Sequence, residues 1–206
     1  MNERAGEVLL ASRNPKKLAE LRRILGSELP HLEVLGLDDV PPYDEAPETG
    51  ATFAENALAK ARAGFQHCAV PTIADDSGIA IDALNGMPGV LSARWAGGHG
   101  DDEANLRLVL AQLADTPDER LGAAFVCAAA FVGPQAGQIF EGRMPGRLVR
   151  EPRGTNGFGY DPIFIANGFD VTNGELAPQQ KDAISHRGQA LRALAEYLAK
   201  TEGDQL

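Results

Sequence analysis

What the chain has little of narrows the field first. Only two cysteines occur in 206 residues, Cys68 and Cys127, and neither stands in a CxxC or Cys/His ligand spacing. A disulfide framework and a structural zinc are therefore not expected, and both thiols, beside apolar residues, read as core positions. Basic charge is also scarce. The 19 Lys and Arg face 29 Asp and Glu, for a net charge of −10. Such a surface is repelled by nucleic acid and by anionic membranes, so neither is expected as a partner. An anionic small molecule is still allowed, given a local cluster of Lys and Arg or a divalent cation. No stretch approaches 18 apolar residues, so no spanning helix is expected. Residues 1–6 carry two opposite charges and no cleavage-like region, which reads as no signal peptide and a cytoplasmic protein. Neither GxxxxGK[ST] nor a GxGxxG after the first strand occurs, which speaks against a P-loop and against a Rossmann dehydrogenase.

What is there reads as one folded, loop-rich domain over 1–206, with 44% hydrophobic residues and 23 glycines. Residues 7–11 form a first strand. A helix follows, with Asn14 as N-cap, Pro15 as first helical residue and Gly26 as the expected stop. Residues 31–37 read as a second strand and 38–50 as a surface loop. Thr52 and Glu55 form a capping box for a helix to about Phe65. Short apolar runs at 70–74 and 79–84 flank a polar centre, and a glycine-rich connection spans 85–100. A third helix opens at Asp101 or Asp102. Residues 121–132 read as a central strand, and 138–141 and 147–149 as two strands around a Pro-Gly turn. A second glycine-rich loop, 154–162, leads into 163–166. Helices at 178–183 and 188–199 complete the chain. Strands alternating with helices, then a block of strands, predict an α/β protein with a mixed central β-sheet flanked by helices, its two lobes around an active-site cleft.

The centre of the chemistry is Ala74-Asp75-Asp76-Ser77-Gly78. Asp, Ser and Gly are ordinary turn residues, so the two acids could simply be solvated. Placed at a buried strand end, they must instead be paired or bound to a metal. Four other stretches also carry two readings. Ser12-Arg13-Asn14-Pro15-Lys16-Lys17 is either a capped helix start or a phosphate-binding one with two lysines. Glu48-Thr49-Gly50 either complements a helix dipole or brings a carboxylate to join Asp75 or Asp76 around Mg²⁺. In Phe158-Gly159-Tyr160-Asp161 the aromatics are either core anchors or a stacking face for a base, with Asp161 accepting from ring N–H groups. Ser185-His186-Arg187 is either a helix start or a donor-rich clamp, with Lys181 one turn earlier.

Together and in this order, the five stretches resemble the Ham1-type non-standard purine nucleoside triphosphate pyrophosphatases, over about residues 7–200. Ser12 stands where that family commonly has Thr, and 170–174 is less family-like. The resemblance implies hydrolysis of ITP, dITP and XTP at the α–β phosphoanhydride, giving the monophosphate and pyrophosphate with Mg²⁺, and it suggests a homodimer. By the same resemblance Asp76 is the general base and a metal ligand, and Glu48 a further metal carboxylate. Ser12, Arg13, Asn14, Pro15, Lys16 and Lys17 hold the triphosphate, with Lys17 foremost, and Ser77 contacts the substrate. Phe158, Gly159, Tyr160, Asp161, Lys181, His186 and Arg187 form the pocket for base and sugar. A 6-oxo purine offers Arg187 an acceptor where adenine offers a donor, a difference that can reject adenine strongly. Two alternatives stand beside this: a Maf-type pyrophosphatase acting on dTTP, UTP or modified pyrimidines, and a nucleotide sensor without turnover.

Overall fold

The computed structural model describes residues 6–135 and 137–201. The reading of residues 1–6 as lacking a leader, and the outer ends of the 1–206 domain, thus lie at or outside the described residues. The elements alternate much as the sequence predicts: β1 (Glu7–Leu10), α1 (Pro15–Glu28), β2 (Glu33–Leu35), α2 (Phe53–Cys68), β3 (Thr72–Ile81), α3 (Asp102–Gln112), β4 (Gly122–Val132), β5 (Gly137–Leu148), β6 (Phe164–Ala166), α4 (Pro178–Ile184) and α5 (His186–Thr201). The strands form one six-stranded sheet in the order β2-β1-β3-β4-β5-β6. β1 pairs in parallel with β2 and with β3, whereas β5 and β6 are antiparallel. The protein is therefore α/β with a mixed sheet. No helix among the described residues is long and apolar enough to cross a membrane.

The helix entries follow from local chemistry. Asn14 Oδ1 accepts from the Lys16 N–H at 2.9 Å, with Pro15 next in line. Thr52 Oγ1 accepts from the Glu55 N–H at 3.1 Å, while Glu55 Oε2 reaches back to the Ala51 N–H, one residue before the expected partner. Gly26 does not stop α1, which runs to Glu28.

Two expected breaks are absent. Residues 72–74 and 79–81 of the two apolar runs belong to a single strand, β3, that passes straight through Asp75-Asp76-Ser77-Gly78, while Asp82–Leu84 forms a 3-10 turn. Residues 138–141 and 147–148 are likewise in one strand, β5, running through Pro145-Gly146. At Gly146 a Cβ would lie 2.1 Å from the Ile165 carbonyl oxygen of β6. The glycine there marks close strand approach, not a turn.

The chain falls into two compact units. The first comprises residues 1–76, 128–141 and 187–206; the second comprises 77–127 and 142–186. In the first, small side chains of β3 and β4 (Ala74, Ala128, Ala130) pack with Ala57 and Ala61 of α2. Leu9, Leu35, Val40 and Val70 form a second cluster there. In the second unit the core is larger-grained: Ile79, Ile81, Val109, Phe125, Met144, Ile163 and Phe164. Phe125 and Phe164 meet edge-on at 4.8 Å, a favoured aromatic geometry.

Candidate active site

Each unit holds polar chemistry of its own. In the first unit the source is β3. Neighbouring strand residues point to opposite faces, so Asp75 and Asp76 meet different partners. Asp75 is buried, and its Oδ2 accepts from Lys17 Nζ at 2.8 Å and Arg187 Nε at 3.1 Å. Arg187 Nη1 also lies 3.4 Å from Glu20 Oε2. Lys17 belongs to the first turn of α1, Glu20 to the next, and Arg187 to the start of α5. Burial alone would push the Asp75 carboxyl up. Lys17, and then Arg187, outweigh it and hold that carboxyl well below the usual carboxylate range.

Asp76 meets α2 instead. Its Oδ2 accepts from Asn56 Nδ2 at 2.9 Å, and its Oδ1 lies 3.5 Å from Lys60 Nζ. Lys60 also donates to Glu48 Oε1 at 3.0 Å. Asn56 and Lys60 are four residues apart on one helical face, which is how α2 brings an amide and an ammonium to one carboxylate. Asn56 is held in turn by the Gly50 N–H, which donates to its Oδ1 at 2.7 Å. A Cβ at Gly50 would stand 2.6 Å from that oxygen, so glycine is needed for the approach. Burial raises the Asp76 carboxyl above its ordinary value, and Glu48 adds to the rise against the opposing pull of Lys60 and Asn56. Burial would lower Lys60, but Asp76 and Glu48 outweigh it and raise that ammonium.

The Ser12–Lys17 segment is shaped by its own side chains. Ser12 Oγ accepts from the Asn14 N–H at 3.2 Å, and Asn14 caps α1. Arg13 is exposed and paired with Glu45, while Lys16 is exposed. Lys17 reaches the aspartate pair through Asp75.

The second unit holds a cavity of about 100 Å³. Ser77, Phe158, Gly159, Tyr160, Asp161, Lys181 and His186, all named from the sequence, line it, together with Gly78, Ser92, Ala93, Asp102 and Phe125. The two aromatics of the 158–161 segment part company. Phe158 is 46% exposed, with the Lys181 ammonium 4.9 Å from its ring centroid. Tyr160 is buried, and its hydroxyl donates to the Ser92 carbonyl at 2.9 Å. Burial, aided by the charge of Asp102, pushes that phenol well above its ordinary range. One aromatic is thus half exposed beneath an ammonium and the other a buried anchor.

Asp161 is buried, and its carboxylate ties the wall together. It accepts from the Phe158 N–H at 2.8 Å, from Asn173 Nδ2 at 3.1 Å and from Lys181. A Cβ at Gly157 would fall 2.1 Å from Asp161 Oδ2. Asp102, at the start of α3, accepts from the Gly159 N–H at 2.8 Å. His186 stacks on Phe125 with centroids 5.1 Å apart. The floor depends on Ser92, whose Oγ accepts from the Ile79 N–H at 2.9 Å and donates to the Gly89 carbonyl at 2.6 Å. A side chain at Gly78 would meet that Oγ at 2.3 Å.

The chain reading thus passed over Asn56 and Lys60 in the first unit, and Ser92, Asp102 and Phe125 in the second. Asn56 and Lys60 did leave a signal: two polar residues at i, i+4 on a capped helix with an alanine-rich buried face. Phe125 left none, because its neighbours Phe164 and His186 are distant in sequence.

Similarity to known proteins shows the family. The Ham1 family model matches residues 8–197. A dITP/XTP pyrophosphatase of Nocardia farcinica is 62% identical over 194 residues, covering 93% of this chain and 94% of its own. A dITP/XTP pyrophosphatase of Mycobacterium tuberculosis is 57% identical over 193 residues, covering 93% and 95%. Among solved structures, the nucleoside-triphosphatase / dITP/XTP pyrophosphatase of Mycobacterium abscessus matches with a TM-score of 0.79 at 60% identity, over 91% of this chain and 98% of that one. The Ham1 protein of Staphylococcus aureus reaches 0.87 at 38% identity, over 94% and 98%. A match over nearly the whole chain, in sequence and in fold, makes this protein a member of the Ham1 family.

Proposed function

We propose that this chain hydrolyses the non-standard purine nucleoside triphosphates ITP, dITP and XTP at the α–β phosphoanhydride, releasing the monophosphate and pyrophosphate and clearing them from the nucleotide pool. The observation that carries the chemistry is the convergence of Glu48 and Asp76 on one point, marked by the Lys60 ammonium at 3.0 and 3.5 Å. High identity to relatives bearing the dITP/XTP pyrophosphatase name supports the substrate class.

The donor set fits Mg²⁺. Both candidate ligands are hard carboxylate oxygens, and Mg²⁺ is usually held by one or two carboxylates, with waters and substrate phosphates completing its shell. Among the described residues no group of three or more His, Cys, Asp and Glu converges, so a protein cage for a softer or fully coordinated metal has no support. When bound, Mg²⁺ offsets negative charge on the phosphates. The remaining work falls to the chain. Asp76, ionised, orients the attacking water and takes its proton. Asn56 fixes the orientation of that carboxylate. Lys17, with Ser12, Arg13, Asn14, Pro15 and Lys16, receives the triphosphate and stabilises charge developing on the leaving pyrophosphate. Asp75 keeps Lys17 and Arg187 in place.

The second unit reads base and sugar through Ser77, Phe158, Gly159, Tyr160, Asp161, Lys181 and His186, with Arg187 following His186 in the chain. Phe158 supplies the stacking face. Lys181 supplies a donor that a 6-oxo purine satisfies and adenine does not. Asp161 serves by fixing Lys181 and the Phe158 loop. The same family resemblance supports a homodimer.

Pyrophosphate release from ITP, dITP, XTP, ATP, dTTP and UTP, with and without Mg²⁺, tests the proposal. Release from the first three well above ATP, and only with Mg²⁺, is expected. Preference for dTTP or UTP would instead indicate a Maf-type enzyme, and nucleotide binding without any release would indicate a sensor; either result overturns it.

A further inference from the structure

Lys60 and the divalent ion of the proposed function call on the same oxygens. The Lys60 ammonium stands 3.0 Å from Glu48 Oε1 and 3.5 Å from Asp76 Oδ1, and its side chain is only 13% exposed. An ammonium is a compact point charge, and charges shielded from water interact more strongly than exposed ones. Asp76 is not at liberty to swing away from it. Its other oxygen is held by Asn56, a residue 1% exposed whose own amide is oriented by the Gly50 N–H. A cation entering between Glu48 and Asp76 must either displace Lys60 or lie beside a like charge.

We propose that Lys60 is a built-in competitor for the divalent ion: it holds Glu48 and Asp76 together as a pair and keeps their affinity for the free ion low. Metal uptake is thereby tied to nucleotide, because a triphosphate brings its own oxygen ligands and enough negative charge to offset the repulsion. Lys60 is in this respect a positioning residue acting through the two carboxylates. The inference rests on Glu48 and Asp76 being the ion's ligands, and its test separates the two ideas.

The probe is Mn²⁺ alone, titrated calorimetrically into the full chain without nucleotide. The variants are Lys60→Met, Lys60→Gln and Lys60→Arg, each with and without Glu48→Gln. Lys60→Met and Lys60→Gln should each bind Mn²⁺ about tenfold more tightly than wild type, since one repelling charge is gone. Lys60→Arg, which keeps the charge, should stay near wild type, and adding Glu48→Gln to Lys60→Met should abolish the gain. A merely structural lysine gives the opposite sign, because a disturbed site binds more weakly. Unchanged or weaker Mn²⁺ binding in both the Met and the Gln variants, with Glu48→Gln still weakening it, overturns the competitor role and leaves the ligands standing. If Glu48→Gln changes nothing in any background, the ligand assignment fails, and the competitor role with it.

Discussion

The two units treat charge differently. In the first, Lys17, Glu20, Glu48, Lys60, Asp75, Asp76 and Arg187 form two alternating clusters, each cation held by carboxylates. In the second, the cavity is lined by aromatic and small residues together with Asp102, His186 and the ion pair of Lys181 and Asp161. Dense, opposed charge suits a site that must handle phosphates and a metal. A mostly apolar cavity with few fixed donors suits a flat heterocycle, because shape and a handful of hydrogen bonds decide what enters. The contrast is sharpest across a single peptide bond. Asp76 closes one stretch of the first unit and Ser77 opens the second, so one strand supplies both chemistries.

Within the first unit the neighbours Asp75 and Asp76 differ as much as the units do. Two cations hold Asp75 ionised, whereas burial and Glu48 push Asp76 up. The largest stability effect is therefore expected at Asp75. Asp75→Asn leaves Lys17 and Arg187 without their shared anion, and breaking such a buried pairing costs about 3 kcal/mol. Its pH signature has a definite sign. A carboxyl lowered on folding contributes stability that is full above its unfolded value, about 3.9, and is lost as pH falls through the folded one. Wild type should lose stability on acidification below that value, and Asp75→Asn should lack that part of the decline. Urea unfolding across pH measures both. Parallel acid profiles for the two proteins would remove Asp75 from its place as the cluster's anchor.

A smaller effect is expected in the second unit at Phe158. With its ring 46% exposed, Phe158→Ala should change stability by no more than about 0.5 kcal/mol. Stacking of a base on an aromatic face is worth about 1–3 kcal/mol, so the KM for ITP should rise about tenfold with kcat nearly kept. A kcat loss with KM unchanged would place Phe158 in the chemistry rather than in recognition, and blur the contrast between the units.

Much of this was legible in the chain. Asn14, Pro15 and Thr52 announce their helices because capping is local, and the mixed α/β order follows from periodicity. What stayed hidden depends on tertiary context. Asp-Asp-Ser-Gly and Pro-Gly are turn sequences by propensity, yet both lie inside long strands. Neighbouring strands fix the backbone there, and a glycine in each admits a close neighbour: Ser92 at Gly78 and the Ile165 carbonyl at Gly146. Strand alternation says that Asp75 and Asp76 face opposite ways, but not which meets Glu48. That choice is made by Lys60, sixteen residues from Asp76, and by Arg187, 112 residues from Asp75. The family resemblance named Asp76 without giving this reason. It also named Asp161, whose buried contacts now explain it as a brace for Lys181 and the Phe158 loop.

The division of labour between the units is tested most directly by pyrophosphate release from ITP and ATP under Mg²⁺, compared between wild type and Asp76→Asn. With proton transfer resting on Asp76 in the first unit and base choice in the second, the rate on both nucleotides should fall by about 10³-fold, while the ITP-to-ATP ratio of kcat/KM stays put. A variant that keeps its rate, or one whose ratio collapses along with it, would contradict the separation of chemistry from recognition.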